Sequence, residues 1–471
     1  MSKINYTLEE VFTPTSYAIK SLTYVERGAT INTRLKRALK IPGNQIILYG
    51  STGVGKSTIL ENEIEAKNKI TFRCSSDVNF KTIVLDALYK LGISYTISEE
   101  KVNSDKANSS IGLGGLLGIK ISVANETKTT KGFVELQLTY ETLAECMGQS
   151  NKYWVIEDFH NIDEEERKKM TDMMKIFMDC SSKYPNLKII VTGAVNRARK
   201  VVQLKPEMKN RISEIEVPLM TNQQLKSILD KGQNLLQIKI PDKVISDIVK
   251  YSCGLPAVTH KLAYFLCDIS KIHISQSKMI EIPKANFNKA IEEYLLDNED
   301  SIKSKYERAT KNINKQGSPL NVLKALLENN KESVSVIEIH DSLKKLNKLY
   351  PEDCLKKILD ELCSDERGNI LSLNTDSMKY YFSDPLMKAY CLCFSRTQSK
   401  SVLPPSATLP IVRAHFEKFR LNKPIVDKET LIKYIYENSR DFNTIEDVIE
   451  SVNYFFKKSS RNQEVHIANG D

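Results

Sequence analysis

The most informative part of the sequence is IILYGSTGVGKSTIL, residues 46–60. An apolar run is followed by a glycine-rich turn and the start of a helix, which fits the pattern G-x-x-x-x-G-K-[ST]. The glycines let the backbone curl so that several amide groups point at one phosphate, and the positive end of the helix adds to the attraction. Lys56 is expected to neutralise the β- and γ-phosphates, and Ser57 to hold Mg²⁺. The sequence therefore predicts a nucleotide-binding loop.

Four more apolar runs extend this alternation of strand and helix. The first run is at residues 46–49, and the other four are at 70–74, 153–157, 188–193 and 214–219. Uninterrupted apolar strands between helical patterns indicate a parallel sheet that is covered on both faces. We therefore predict an α/β fold, with a P-loop parallel sheet core and helices on both faces.

The second half of the chain changes character. Residues 220–300 contain only helical patterns, and two of these start with the cap residues Thr221 and Pro241, so we expect an all-helical lid domain. Residues 318–394 hold three helical patterns and then two short strands, which is the order of a winged helix. The predicted organisation is a lead-in at 1–45, a P-loop core at 46–219 with an insertion at 100–132, a helical lid domain at 220–300, a winged-helix domain at 301–396, a Pro/Ser linker at 397–410 and a small helical C-terminal domain at 411–471.

The insertion at residues 100–132 does not fit the strand–helix alternation. It is rich in glycine and then in threonine and lysine. We interpret it as a surface insertion or a short hairpin. A contact of its glycine-rich part with a membrane or a partner protein is the alternative interpretation.

The composition is that of an ordinary globular protein, with 41% hydrophobic and 27% charged residues among 471. No apolar run approaches the length of a membrane span, and the sequence MSKINYTLEEVF lacks the apolar centre of a signal peptide. We therefore expect a cytoplasmic protein with no membrane contact. The nine cysteines form no CxxC pair, which favours reduced core residues over disulfides or zinc ligands.

The net charge of +9 permits contact with nucleic acid but does not require it. The clearest basic run is KSKYERATKNINK, residues 303–315. It is interpreted either as a solvated helix face or as part of a DNA contact.

Candidate catalytic residues follow the later strands. Glu157 is the last residue of the run YWVIE, and Asp158 follows it. Phosphoryl transfer needs one carboxylate near the metal and another near the attacking water. We assign Glu157 to the Mg²⁺ site and Asp158 to the water. Thr192, at the end of the next strand, is a candidate γ-phosphate sensor, with an ordinary strand cap as the alternative. Arg211 is a candidate arginine finger for a neighbouring subunit, with a surface salt bridge as the alternative.

Four motifs in order resemble the origin-recognition-like and STAND branches of the AAA+ ATPases. YVERGATINTRLK (24–36) resembles the adenine-side motif that precedes the P-loop, and IEDFHNI resembles the acidic strand end of these proteins. SCGLPAVTHKLA (252–263) is similar to the Gly-Leu-Pro motif of STAND proteins, and YYFSDPLMKAYCL (380–392) is similar to the end of their winged helix. The resemblance covers about residues 20–394.

The resemblance implies an ATPase that binds ATP or ADP with Mg²⁺, and the choice of ATP over GTP rests on it alone. It places Arg27 at the adenine-side basic position and Pro256 against the adenine. The chain departs from the pattern where origin-recognition proteins carry an arginine, because His260 and Lys261 occupy that neighbourhood. The candidate nucleotide-binding residues are Arg27, Gly50, Ser51, Thr52, Gly53, Val54, Gly55, Lys56, Ser57, Thr58 and Pro256.

Two functions are compatible with these features. The first is a slowly hydrolysing switch of the AAA+/STAND type, whose ATP-dependent self-association controls a separate effector or sensor protein, a type that often takes part in antiviral defence. The second is an origin-recognition-like or transposition-regulator ATPase that loads onto DNA. The predicted third winged-helix segment, residues 351–366, carries Lys356 and Lys357 among six acidic residues. That balance disfavours contact with DNA phosphates and favours the switch.

Overall fold

The chain divides into two compact units, residues 1–284 and 285–471, in a computed structural model. The first unit holds the predicted phosphate loop, and the second holds the predicted winged helix. The structure describes residues 5–14, 22–93, 95–96, 131–132, 139–193, 206–298, 302–311, 318–329, 331–346, 350–399, 405–422, 428–438, 448–449 and 451–456.

A five-stranded parallel sheet forms the centre of the first unit. In chain order its strands are β1 (Gln45–Tyr49), β2 (Lys69–Arg73), β3 (Tyr153–Glu157), β4 (Ile189–Gly193) and β5 (Ile212–Glu216), and their spatial order is β2-β3-β4-β1-β5. Every neighbouring pair is parallel. The prediction of a parallel P-loop sheet is therefore confirmed.

Helices cover both faces of this sheet, and every residue of β1 and β4 is buried as a consequence. One apolar cluster joins strand residues such as Trp154 and Ile156 to Ile83, Leu143 and Phe177 of three helices. The helix before β1 packs beside β1 and β5. The helices of the sheet region are Ala29–Lys40, Lys56–Glu63, Phe80–Lys90, Tyr140–Ser150 and Glu164–Asp179.

Three helices follow the sheet within the first unit, at Asn222–Leu236, Asp242–Tyr251 and Pro256–Ile269. We refer to them as the lid helices. The first begins with a capping box between Thr221 and Gln224, and the third begins with a proline, whose fixed φ suits a first helical position. Two-residue strands at Ile238–Lys239 and Ile280–Glu281 pair in parallel beside them.

The predicted lead-in divides between the lid helices and the sheet. The short helix Leu8–Val11 packs against the first and third lid helices, and the Leu8 amide donates to the His273 carbonyl at 2.8 Å. The helix Ala29–Lys40 instead lies beside the sheet. The segment at residues 5–14 is therefore part of the lid by packing, although it is distant from the lid in sequence.

The second unit begins earlier than the predicted boundary at residue 300. The helix Asn286–Leu296 belongs to it, because Leu295 packs against its apolar cluster and Asn288 accepts a hydrogen bond from Arg396 Nε at 3.2 Å. The helices that follow are Ser304–Thr310, Pro319–Glu328, Val336–Lys345, Glu352–Leu362 and Pro385–Ser399. Strands Leu371–Asn374 and Lys379–Phe382 form a hairpin, to which Val334–Ser335 adds a third short strand.

The predicted linker at 397–410 is partly helical, since helices run through Pro385–Ser399 and Pro405–Asn422. Pro405 starts the second of these, a position where proline favours a helix instead of ending one. The helix Lys428–Asn438 and helical residues 451–456 complete the tail. Its aliphatic and aromatic residues form a core of their own, which includes Val412, Phe416, Leu431, Ile435 and Phe455.

Only the base of the predicted insertion lies in the described part of the chain. There, Tyr95–Thr96 pairs with Lys131–Gly132 as two antiparallel strands, and residues 100–130 of the interpretation lie outside the described residues. Among the described helices, none has the length and hydropathy needed to cross a membrane.

Candidate nucleotide-binding site

The predicted phosphate loop leaves the end of β1 and curls into the helix Lys56–Glu63. The Gly50 amide donates to the Gly193 carbonyl at 3.2 Å, and a Cβ atom at Gly50 would lie 2.4 Å from the Val217 carbonyl oxygen. Gly55 has a φ of +92° immediately before the helix, a conformation that side chains other than glycine disfavour. The local backbone thus requires two of the glycines that define the motif.

Lys56 closes the loop from inside. Its Nζ donates to the carbonyl oxygens of Gly50 and Ser51 at 2.9 and 3.0 Å. Burial lowers the pKa of this amine, while the charges of Asp158 and then Glu157 act in the opposite direction. The ammonium therefore lies inside the curl of the loop, with carboxylates near enough to stabilise its charge.

The two candidate carboxylates have different surroundings at the end of β3. The Glu157 side chain is 6% exposed and forms an ion pair with Arg73, whose Nη2 lies 3.0 Å from Glu157 Oε2. The Asp158 side chain is 42% exposed, and Asp158 lines a cavity together with Lys56 and Ser57. Asp158 is consequently the carboxylate that faces the loop, and Glu157 is held to its side.

Arg73 is a site residue that the sequence analysis did not identify. It ends β2 and lies opposite Glu157 in the parallel register of β2 and β3. A basic residue at the end of one apolar run and an acidic residue at the end of another are the only local signals. They indicate a pair only once the two strands are known to be neighbours.

Thr192 lies at the end of β4 and is 1% exposed. Its hydroxyl oxygen accepts a hydrogen bond from the Asp158 amide at 3.3 Å. Asp158 has a φ of +55°, in the left-handed region that non-glycine residues rarely adopt. The hydroxyl predicted to sense a γ-phosphate thus contacts the backbone of the neighbouring carboxylate residue.

Arg211 is not part of the cavity of its own chain. It immediately precedes β5, whose first residue, Ile212, pairs with Gln45 at the start of β1. The phosphate loop follows the carboxyl end of β1, whereas Arg211 lies at the amino ends of β1 and β5, on the other side of the sheet from the loop. Its guanidinium donates to Asp179 Oδ1 at 2.8 Å and to the Met178 carbonyl. A finger role would require a second chain and remains a prediction.

A cavity of about 280 Å³ lies between the loop, the segment before helix Ala29–Lys40 and the lid helices. Arg27 lines it and donates to the carbonyl oxygens of Val54 and Pro218. Burial lowers the pKa of Arg27 to about 10, so the guanidinium is still charged at neutral pH. The basic residue predicted beside the adenine therefore also fastens the chain before the sheet to the phosphate loop.

The third lid helix meets the loop through its first turn. The Ala257 amide donates to the Gly53 carbonyl at 3.4 Å, and a Cβ atom at Gly55 would lie 3.8 Å from Pro256 Cγ. Pro256 and His260 both line the cavity, as do Thr13, Tyr24 and Ile228. Of these five, Pro256 was predicted as a site residue and Tyr24 begins the predicted adenine-side motif. Thr13, Ile228 and His260 were not predicted, because single buried residues on separate segments have no local sequence pattern.

The loop offers oxygen ligands that suit Mg²⁺. Ser57 and Asp158 line the same cavity, and Glu157 is the residue before Asp158. Mg²⁺ prefers oxygen ligands and commonly uses one or two from the protein, with waters and substrate phosphates supplying the rest. This requirement is smaller than a ligand cluster of three or more His, Cys, Asp or Glu side chains, which does not occur among the described residues. The residues present fit a metal bound together with a nucleotide.

No protein-family model matches the chain, and no curated protein matches it. A Walker-type ATPase of Pyrococcus abyssi is 15% identical, with 81% of this chain and 99% of that chain covered and a TM-score of 0.49. The ORC2 protein of Aeropyrum pernix, in ADPNP–ADP complexes, is 14% identical over 83% of this chain and 98% of that chain, with a TM-score of 0.42. Cdc6p from Pyrobaculum aerophilum is 12% identical, with 83% of this chain and 98% of that chain covered and a TM-score of 0.38. At this level of similarity, function has to be inferred from the side chains of the site.

Proposed function

We propose that this chain binds ATP together with Mg²⁺ and hydrolyses it slowly. The observation that carries the proposal is the placement of Lys56, Ser57 and Asp158 around one cavity beside a glycine loop. A cation, a hydroxyl and a carboxylate at the end of parallel strands are the groups that phosphoryl transfer to water requires. The remainder of the cavity, where apolar side chains such as Ile228 lie beside polar ones such as His260, suits a nucleoside.

Each residue has a separate task in this proposal. Lys56 exchanges its two carbonyl acceptors on the loop for phosphate oxygens, and Ser57 contributes a hydroxyl to Mg²⁺, which neutralises charge on the phosphates when it is bound. Asp158 orients the attacking water and accepts its proton. Glu157 supports the metal site while Arg73 balances its charge. An aspartate reaches less far towards the water than a glutamate would, so we expect slow turnover.

The contact between the loop and the third lid helix supports a switch of the AAA+/STAND type. Because the Ala257 amide bonds the Gly53 carbonyl, a ligand that reshapes the loop also acts on the start of that helix. We propose that ATP favours an open, self-associating state and ADP a closed one. Arg211 would then reach the site of a neighbouring copy. A separate effector or sensor protein and a role in antiviral defence complete the hypothesis.

The DNA-loading function is the second candidate. Exposed Lys305, Arg308 and Lys311 on and after the helix Ser304–Thr310 favour it. On the helix Glu352–Leu362, by contrast, Lys356 forms an ion pair with Glu352 at 2.9 Å, which reduces the charge available to DNA phosphates. This ion pair favours the proposed switch over a DNA contact of that helix.

The particle mass of the purified protein tests the two candidates. It is measured with Mg-ADP and with a slowly hydrolysed ATP analogue, each with and without a DNA duplex. An increase with the analogue alone supports the switch, and an increase that requires DNA supports the loader. A mass that stays constant under all conditions contradicts both forms of assembly and removes Arg211 as a finger.

Site variants test the ATPase proposal itself. Lys56→Ala is expected to abolish nucleotide binding, and Asp158→Ala and Glu157→Gln to bind ATP without hydrolysing it. Lys67→Ala is the matched control, since Lys67 is 78% exposed and pairs with Glu65 outside the cavity. Tight ATP binding by Lys56→Ala would refute the site, and normal turnover in both carboxylate variants would show that other residues carry the reaction.

A further inference from the structure

His260 is a buried histidine that the roles above do not use. It lies four residues after Pro256 on the third lid helix, so the two side chains share one face of that helix. Both line the cavity, and His260 is 4% exposed. Its surroundings include the Phe12 ring, at 6.1 Å between ring centroids and nearly perpendicular to the imidazole.

The hydrogen bond made by this histidine fixes its tautomer. His260 Nδ1 accepts from the Thr13 amide at 3.1 Å. Burial lowers the pKa of the imidazole to about 4, so the ring is neutral at pH 7 and carries one proton. Because Nδ1 is an acceptor, that proton is on Nε2. The described residues thus engage Nδ1 and leave Nε2–H as the donor of a ring that lines the cavity.

Near His260 the lining holds apolar side chains, two bonded hydroxyls and the buried Thr13 Oγ1, which has no hydrogen-bond partner among the described residues. Val25, Met220 and Ile228 contribute apolar surface. The Thr23 hydroxyl donates to the Val11 carbonyl at 2.9 Å, and the Tyr24 hydroxyl accepts from Asn32 Nδ2 at 3.0 Å. An imidazole N–H in such a lining can fix the orientation of a flat heterocycle that offers an acceptor atom.

We propose that His260 Nε2–H donates a hydrogen bond to a ring nitrogen of the purine base, which makes His260 a base-recognition residue. This inference rests on the proposed function, because it assumes that the phosphates lie at Lys56 and that the base fills the rest of the cavity. In adenine, the base of ATP and ADP, the ring nitrogens N1, N3 and N7 carry no proton and are acceptors, whereas the exocyclic amino group offers only protons and cannot accept this one. One of the three nitrogens is therefore the partner.

Deaza analogues of ADP test the contact without relying on a variant protein. Each analogue replaces one ring nitrogen, N1, N3 or N7, by C–H and leaves the phosphates unchanged. Dissociation constants are measured by calorimetry for ADP and the three analogues. We expect one analogue to bind about 3- to 10-fold more weakly than ADP, the effect of losing one hydrogen bond, and the other two to bind like ADP.

The variant His260→Phe assigns the effect to this side chain. We expect it to bind ADP more weakly by the same factor and to make no further distinction between ADP and the weak analogue. His260→Gln, whose amide can both accept from Thr13 and donate to the base, is expected to recover part of the affinity. Thr23→Val is the control, because its hydroxyl is committed to Val11, and it should affect ADP and all three analogues equally.

Several outcomes would overturn the inference. If all three analogues bind the wild-type protein as well as ADP does, no ring nitrogen receives this hydrogen bond. If one analogue is weaker by the same factor in wild type and in His260→Phe, another group makes the contact. If the wild-type protein binds no adenine nucleotide at all, the proposed function fails and this inference fails with it, which calorimetry with ADP alone reveals.

Discussion

The substitution Thr192→Val separates two roles of Thr192, a sensor of the γ-phosphate and a residue that positions Asp158. It keeps the shape of the side chain and removes the hydroxyl that accepts from the Asp158 amide at 3.3 Å. This hydrogen bond is partly buried, so its loss costs about 0.5–1.5 kcal/mol, the contribution of an ordinary hydrogen bond. Asp158 is held at a φ of +55° and should relax when this hydrogen bond is lost. If the loss falls on catalysis, kcat decreases by about 2- to 12-fold.

Steady-state hydrolysis and binding of two nucleotides distinguish these roles. A positioning residue lowers kcat and leaves the affinities for ADP and for a slowly hydrolysed ATP analogue unchanged. Thr192→Ser keeps the hydroxyl and is expected to restore most of the rate. A selective loss of affinity for the ATP analogue would refute this reasoning and support direct sensing of the γ-phosphate. If kcat and both affinities are unchanged, both roles are refuted.

Two other charged side chains give predictions that need different measurements. Arg73→Ala removes the cation beside Glu157. We therefore expect the Mg²⁺ concentration at half-maximal hydrolysis to fall by about two- to fivefold, which is the effect of a largely exposed ion pair. A rise in that concentration would mean that Arg73 orients Glu157 for the metal. Lys188 is fully buried, and burial lowers the pKa of its amine to about 8, so the unfolded chain binds more protons than the folded chain above that pH. The free energy of unfolding of the wild type should therefore rise between about pH 8 and pH 10, by up to about 3 kcal/mol relative to Lys188→Met. If chemical denaturation shows the same pH dependence of the unfolding free energy in both proteins, Lys188 does not become neutral in the folded state.

Much of the sheet could be predicted because its strands are buried on both faces. The runs at residues 46–49 and 153–157 are uninterrupted apolar segments of strand length, and β1 and β3 lie there. The glycine spacing likewise predicted the loop, since Gly50 and Gly55 adopt conformations or contacts that exclude other residues. In both cases a local physical requirement leaves a local pattern in the sequence.

The missed features depend on which segments become neighbours. The ion pair between Arg73 and Glu157 follows from strand register, and the Thr13–His260 hydrogen bond joins residues 247 positions apart. The apolar face of a helix does not indicate which core the helix packs against. The helix Asn286–Leu296 was therefore assigned to the lid, although it packs in the second unit. The Pro- and Ser-rich residues 397–410 were interpreted as a linker, although Pro405 begins a helix. No local pattern contained this information.

The hydrogen bonds around the cavity connect three segments into one closed path. Arg27 bonds the Val54 carbonyl on the phosphate loop, and the next loop carbonyl towards the N-terminus, that of Gly53, accepts from Ala257 on the third lid helix.

One turn further along that helix, His260 accepts from Thr13, which precedes the segment of Arg27 in the chain. Under the proposed function, a nucleotide in the cavity would contact all three segments, and a difference between ATP and ADP at Lys56 would act on the lid through short backbone contacts. Changing a population from 1:99 to 99:1 needs about 5.5 kcal/mol of differential binding. Individual hydrogen bonds contribute about 0.5–1.5 kcal/mol each, so the γ-phosphate must change several of these contacts together if the chain is a switch.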